Sequence, residues 1–73
     1  MAILDIRCDI TGTIWKIVKG VGESVAEDEP ILILESMKME IPVVAPEPGV
    51  VVEIAGKEGD TASEGSVLVR IEL

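Results

Sequence analysis

The sequence predicts an all-β sandwich or barrel whose two halves, each of about four short strands, are related by a pseudo-two-fold axis. Three observations carry this expectation. The apolar runs are short and rich in β-branched residues. Glycine or proline stands between most of them. The second half of the chain repeats the register of the first.

In chain order the apolar runs span residues 2–6, 13–18, 31–34, 41–45, 50–55 and 67–71. Gly12 precedes the second run, and Gly20 and Gly22 follow it. Pro46, Pro48 and Gly49 separate the fourth from the fifth; Gly56, Gly59 and Gly65 lie before the last. Short strands at regular spacing with turn residues between them are the pattern of an all-β domain. Periodicity alone does not decide whether Ile31-Leu32-Ile33-Leu34 is strand or helix. Its shortness and the glycines around it decide for a strand.

Shifting the chain by 37 residues places Gly12 on Gly49, Ile17 on Ile54, Gly22 on Gly59, Glu27 on Glu64 and Glu35 on Glu72. Glu23-Ser24 falls on Asp60-Thr61, Leu34 on Ile71, and Ile6 and Cys8 on Val43 and Ala45. A chain rich in Val, Ile and Glu matches itself often, so the coincident glycines carry more weight, because they set turns. The pseudo-repeats expected are residues 3–36 and 40–73, within one domain over 1–73.

The 73 residues suffice for a single domain near the lower limit of size. Cys8 is the only cysteine and there is no histidine, so neither a disulfide within the chain nor a zinc site is expected. A net charge of -8 argues against nucleic acid and against anionic membrane surfaces. No apolar run approaches the length of a membrane span. Asp5 and Arg7 interrupt the N-terminal stretch, which does not read as a signal peptide. A soluble, cytoplasmic protein is expected, monomeric in isolation. No nucleophile–base pair or metal cluster can be assembled from these residues, so no catalytic residue and no enzyme activity of its own is expected.

One segment breaks the local rules. Glu35-Ser36-Met37-Lys38-Met39-Glu40 joins two strand runs with no room for a long loop, so the chain must reverse at Met37-Lys38. Two-residue hairpin turns want Asn-Gly or Gly-X, because their central residues take positive φ. Local rules that fail inside an otherwise consistent sequence point to a functional or strained site. A lysine at a hairpin apex projects into solvent and into the active site of a partner. A lysine amine is charged at neutral pH and becomes acylated only when an enzyme supplies an activated acyl donor and removes the proton. Met37 and Met39 are flexible, polarisable side chains suited to being read by a partner. The alternative is a solvated turn lysine with two methionines tucked into the core.

Met37-Lys38-Met39, preceded by Glu35-Ser36 and followed by Glu40-Ile41-Pro42, resembles the biotinylation motif of biotin carboxyl carrier domains. Gly22-Glu23, Gly59-Asp60 and Glu64-Gly65 also match that biotinyl/lipoyl attachment family. The resemblance covers residues 3 to 72 and is closest to the free-standing bacterial biotin/lipoyl attachment proteins. The family's lipoyl domains usually carry Asp-Lys-Ala at this turn, which is absent here. Ser36 replaces a frequent alanine, and the protruding thumb loop of some carriers has no counterpart.

The resemblance implies a flattened barrel of two four-stranded antiparallel sheets with Lys38 on a tight hairpin at one end. It implies covalent biotin on Lys38, with Met37 and Met39 as motif flanks; Glu35 and Glu40, which flank the tip, are candidates to orient the ligase, with an ordinary solvated role as the alternative. The partners implied are biotin protein ligase, acting through biotinyl-adenylate, a biotin carboxylase and a carboxyltransferase passing carboxylate to an acceptor such as an acyl-CoA. The carrier itself performs no chemistry; the cofactor does, and the protein positions it. Lysine plus the acyl chain gives an arm on the order of 12–14 Å long. Two other readings stand beside this one: a lipoyl or dual carrier, and an unmodified β-domain serving as an interaction module.

Three further features have ordinary readings. Trp15, the only aromatic residue, is expected to be a partly buried core residue, with a docking surface as the alternative. Cys8, opposite Ala45 in the repeat, is expected to be small and buried. The acidic run Glu23, Glu27, Asp28 and Glu29 is expected to be a solvated loop, with steering of basic partners as the alternative.

Overall fold

The computed structural model describes residues 2–73; Met1, within the expected domain, lies outside the described residues. The described chain forms β1 (Ile3–Arg7), β2 (Gly12–Ile17), β3 (Ser24–Val25), β4 (Pro30–Ser36), β5 (Met39–Val44), β6 (Gly49–Ile54), β7 (Thr61–Ala62) and β8 (Val67–Glu72). They build two four-stranded antiparallel sheets in the orders β1-β8-β6-β3 and β5-β4-β2-β7. The fold class expected from the sequence is the one observed. The two-residue strands β3 and β7 lie outside the six apolar runs; each is too short to leave a hydrophobic pattern.

The shift of 37 residues reproduces the strand pairing residue by residue. Ile3↔Glu72, Leu4↔Ile71, Asp5↔Arg70 and Ile6↔Val69 in one sheet become Glu40↔Glu35, Ile41↔Leu34, Pro42↔Ile33 and Val43↔Leu32 in the other. The halves interlock, since β1 and β3 of the first half pair with β8 and β6 of the second. The core obeys the same relation. Its buried residues form the pairs Cys8 and Ala45, Ile14 and Val51, Val25 and Ala62, Ile31 and Leu68, Leu32 and Val69, Leu34 and Ile71. Cys8 is thus the small buried residue its repeat partner suggests. Equivalent positions meet the same packing constraint, so an apolar residue is required at both.

Trp15 departs from expectation. It is 48% exposed and lies outside the core cluster. The reason is a β-bulge: Ile14 pairs with Leu34 and Lys16 with Ile33, leaving Trp15 as the extra residue. A bulge interrupts strict alternation, so Ile14 and Ile17 turn inward while Trp15 and Lys16 both turn outward. Val52 occupies the equivalent bulge in β6 and is likewise exposed.

The acidic run is more structural than its composition suggests. A Glu23 carboxylate oxygen accepts the Gly20 N–H, and Asp60 does the same for Lys57 N–H in the second half. Glu29 accepts the Ala26 N–H at 2.9 Å and lies 3.6 Å from the Lys19 ammonium. These carboxylates satisfy turn amides that no strand partner reaches. On the outer face of the first sheet, Asp5, Arg70 and Glu53 form an ion-paired row across β1, β8 and β6. Hydrogen bonds to Glu53 and then Asp5 hold the Arg70 guanidinium above its ordinary pKa.

The ends of the described chain meet: the Leu73 N–H donates to the Ala2 carbonyl at 3.0 Å. From that end β1 leads along the barrel, whose longest dimension is 36 Å. The chain beyond β1 reaches Thr11, whose carbonyl accepts a hydrogen bond from Ser36 Oγ at 3.0 Å. The chain ends and the β4–β5 hairpin therefore occupy opposite ends of the barrel.

Candidate functional site

Ser36 and Met39 are the last paired residues of the β4–β5 hairpin, so Met37 and Lys38 alone make the turn. Their φ values are 52° and 64°. Positive φ at both central residues is the type I′ pattern, whose twist matches that of the flanking strands. Asparagine and glycine enter this region readily; a long side chain costs about 1–2 kcal/mol per residue. The ladder between β4 and β5, anchored by buried Leu34 and half-buried Ile41, holds the turn against that cost. The chain reversal expected from the sequence is observed, in the conformation for which Met and Lys are poorly suited.

Both methionines are in solvent, Met37 at 88% and Met39 at 62% exposure. The alternative of methionines tucked into the core is thereby overturned. Lys38 is exposed, and among the described residues its amine has no ion-pair or hydrogen-bond partner. Lys16, Lys19 and Lys57 stand elsewhere: Lys16 in β2, Lys19 in the loop after it and Lys57 in a turn near the start of β7. Lys38 alone projects from the tip of a hairpin.

Glu35 and Glu40 are direct cross-strand partners. Their neighbours Leu34 and Ile41 turn inward, so both carboxylates turn to the outer face of the sheet, where both residues are exposed. Like charges opposite one another weaken a ladder by a few tenths of a kcal/mol to about 1 kcal/mol. Neither has an ion-pair partner among the described residues.

The base of the hairpin is tied in a way the sequence gives no sign of. Ser36 Oγ donates to the Thr11 carbonyl, and Thr11 Oγ1 accepts the Glu64 N–H at 3.0 Å. One threonine thus links the segment before the lysine turn to the loop before β8. Among the described residues no group of three or more His, Cys, Asp or Glu is placed to hold a metal. What this site offers is one unpartnered primary amine on a stiff two-residue turn. It fits a carboxylic acid cofactor joined through an amide bond, since nothing on the domain shields the amine.

The family described as biotin-requiring enzyme matches residues 5–71. The chain is 40% identical over 68 residues to the biotin/lipoyl attachment protein of Bacillus subtilis (strain 168), covering 93% of each. It superposes on the urea carboxylase of Kluyveromyces lactis with a TM-score of 0.92 at 32% identity, covering 99% of this chain and 6% of that one. It also superposes on the lipoyl domain of the 2-oxoglutarate dehydrogenase complex of Azotobacter vinelandii, with a TM-score of 0.81, 33% identity and 96% coverage of both.

Proposed function

The chain belongs to the biotin/lipoyl attachment family of biotin-requiring enzymes, and we propose that it carries biotin on Lys38 and serves a biotin-dependent carboxylase. Domains of this family are non-catalytic carriers. The observation that carries the reading is the Lys38 turn itself: an unpartnered amine between two exposed methionines on a left-handed two-residue reversal.

The residues divide the work simply. Lys38 supplies Nζ as the acyl acceptor; an amide bond forms, the activating group leaves, and the ammonium proton passes to the ligase. The hairpin keeps that amine clear of the sheet, so a catalytic pocket can close over it. Met37 and Met39 offer apolar, adaptable contacts to whichever enzyme engages the tip. Glu35 and Glu40 present paired carboxylates to a basic surface on the ligase. Biotin, once attached, supplies the nitrogen that accepts and returns carboxylate. The partners of this reading are biotin protein ligase, biotin carboxylase and a carboxyltransferase, with an acyl-CoA as the acceptor class.

The match to the family described as biotin-requiring enzyme supports biotin, and the name of the Bacillus attachment protein admits either cofactor. Likeness to the Azotobacter lipoyl domain supports lipoate on the same lysine as the second reading. Incubation with biotin, ATP and biotin protein ligase, followed by peptide mass mapping, tests both. Biotin found on Lys38 sustains the proposal. Lipoate accepted there by a lipoate ligase with biotin refused would give the site to the second reading, and refusal of both would leave an unmodified module.

A further inference from the structure

Between β1 and β5 lies a cavity of about 160 Å³. The pseudo-two-fold axis exchanges these two strands, and each is the edge of its sheet. Ile6, Ile10, Ile41 and Val43 form the apolar wall; Arg7 and Asp9 bring charge to it. We propose that this cavity shelters the ring of the cofactor on Lys38, a saturated five-membered ring containing sulfur, between visits to partner enzymes. The inference rests on the reading of Lys38 as the attachment site.

Size permits it for the sulfur-containing ring, because apolar cavities of about 150 Å³ hold a ring as large as benzene; the fused ureido ring of biotin would extend from it toward exposed Asp9. Reach permits it as well. Ile41 follows Lys38 by three residues of strand, roughly 10 Å at 3.3 Å each, against an arm on the order of 12–14 Å. By strand alternation exposed Met39 lies on the same side of β5 as half-buried Ile41 and Val43, giving the arm an apolar path from the turn. The loop that brings Asp9 and Ile10 to the cavity is fastened to the hairpin through the Ser36–Thr11 hydrogen bond. Cavity and lysine turn are thus held in one frame.

The lining also breaks the internal symmetry. The shift that carries one half onto the other sends Asp9 and Ile10 onto Pro46 and Glu47, so the opposite end does not repeat this wall. Arg7 Nη1 is committed to the Gly65 carbonyl at 2.9 Å. Asp9 has no ion-pair partner among the described residues. A free carboxylate beside an apolar wall suits a ring that carries N–H donors, as the ureido group of biotin does and the dithiolane of lipoate does not. The shared ring chemistry therefore predicts occupancy by both, and Asp9 predicts a preference for biotin.

Protein loaded enzymatically with biotin, and separately with lipoate, is first verified by mass to be modified at Lys38. Proton NOEs from the ring to the methyl groups of Ile6, Ile10, Ile41 and Val43 are then sought by NMR, and the rate of capture by avidin is measured for the biotinylated form. Sheltering is expected to give those NOEs and to slow capture several-fold, since only the undocked fraction reacts. Ile10→Trp, which fills the cavity, should remove the NOEs and restore fast capture. Asp9→Asn, at an exposed position, should weaken the biotin NOEs and leave the lipoyl ones unchanged. Modified protein with no ring-to-methyl NOEs and unchanged capture overturns the inference and spares the attachment reading. NOEs from lipoate alone overturn the biotin preference. Absence of any adduct at Lys38 overturns the attachment reading and this inference with it.

Discussion

Gly12 and Glu35 approach so closely that no side chain fits between them. A Cβ built on Gly12 would stand 2.7 Å from the Glu35 carbonyl oxygen, and one built on Gly49 would stand 2.6 Å from that of Glu72. Two residues at equivalent positions are thus glycine for one packing reason, and only one of the contacts abuts the lysine hairpin. Gly12→Ala and Gly49→Ala are each expected to destabilise the fold by about 1–3 kcal/mol. Gly12→Ala should in addition slow biotinylation of the folded fraction, because it displaces the backbone one residue before Ser36. Thermal unfolding with ligase kinetics checks this. Equal ligase kinetics in the two variants would detach the tip from the contact.

Lys38→Arg should abolish labelling while leaving the unfolding midpoint within about 0.5 kcal/mol of the parent, as surface substitutions usually do. Arginine keeps the charge and is a poor acyl acceptor. Peptide mapping after ligase treatment is the measurement; labelling that persists, or that appears on Lys16, Lys19 or Lys57, would sink the assignment.

The left-handed turn predicts a dissociation of stability from recognition at Met37. Met37→Leu keeps an exposed apolar residue in the same conformation and should move stability by less than about 0.5 kcal/mol. Met37→Gly relieves the backbone cost and should stabilise by up to about 1 kcal/mol. Both should raise KM for the ligase or the carboxylase. Denaturant midpoints measured beside initial rates test the pair, and a large loss of stability in Met37→Leu would contradict the exposure of this side chain.

The opposite placement of chain ends and hairpin predicts how additions are tolerated. A bulky domain fused after Leu73 should leave the rate of Lys38 modification nearly unchanged. One residue inserted between Ser36 and Met39 should abolish modification, because it lengthens the two-residue turn and moves the lysine off its apex. A strong effect of the fusion on ligase kinetics would place the ligase across the far end of the barrel.

Much of this was legible in the sequence for a physical reason. Paired positions such as Leu34 and Ile71, or Cys8 and Ala45, face equivalent packing constraints, and their equivalence survives as a register visible without coordinates. The reversal at Met37-Lys38 was legible because two strand runs left no residues for any other connection. Trp15 was not: a bulge changes which face a residue takes without changing its identity, so hydrophobicity pointed inward while the backbone turned it out. The Ser36–Thr11 bond and the turn-capping roles of Glu23 and Glu29 were hidden as well, because polar residues in loops look alike until the amide they satisfy is located. The cavity between β1 and β5 depends on the spacing of two sheets, which no run of residues encodes.

The pairing of Ile3 with Glu72 has a consequence for the order of events in synthesis. The β4–β5 hairpin is local and can form as soon as its residues are made, but the sheet containing β1 stays open until β8 arrives. Closing so long a loop sets the entropic barrier to folding. A ribosome adds about 5–20 residues per second, so β1 waits seconds for its partner. During that wait the nascent chain exposes an unpaired edge and an unfinished core while already displaying its lysine turn. A ligase that reads only the hairpin would label chains that still lack β8; one that needs the assembled barrel would act only once β8 has emerged and paired. Pulse-labelling of ribosome-bound chains would separate the two.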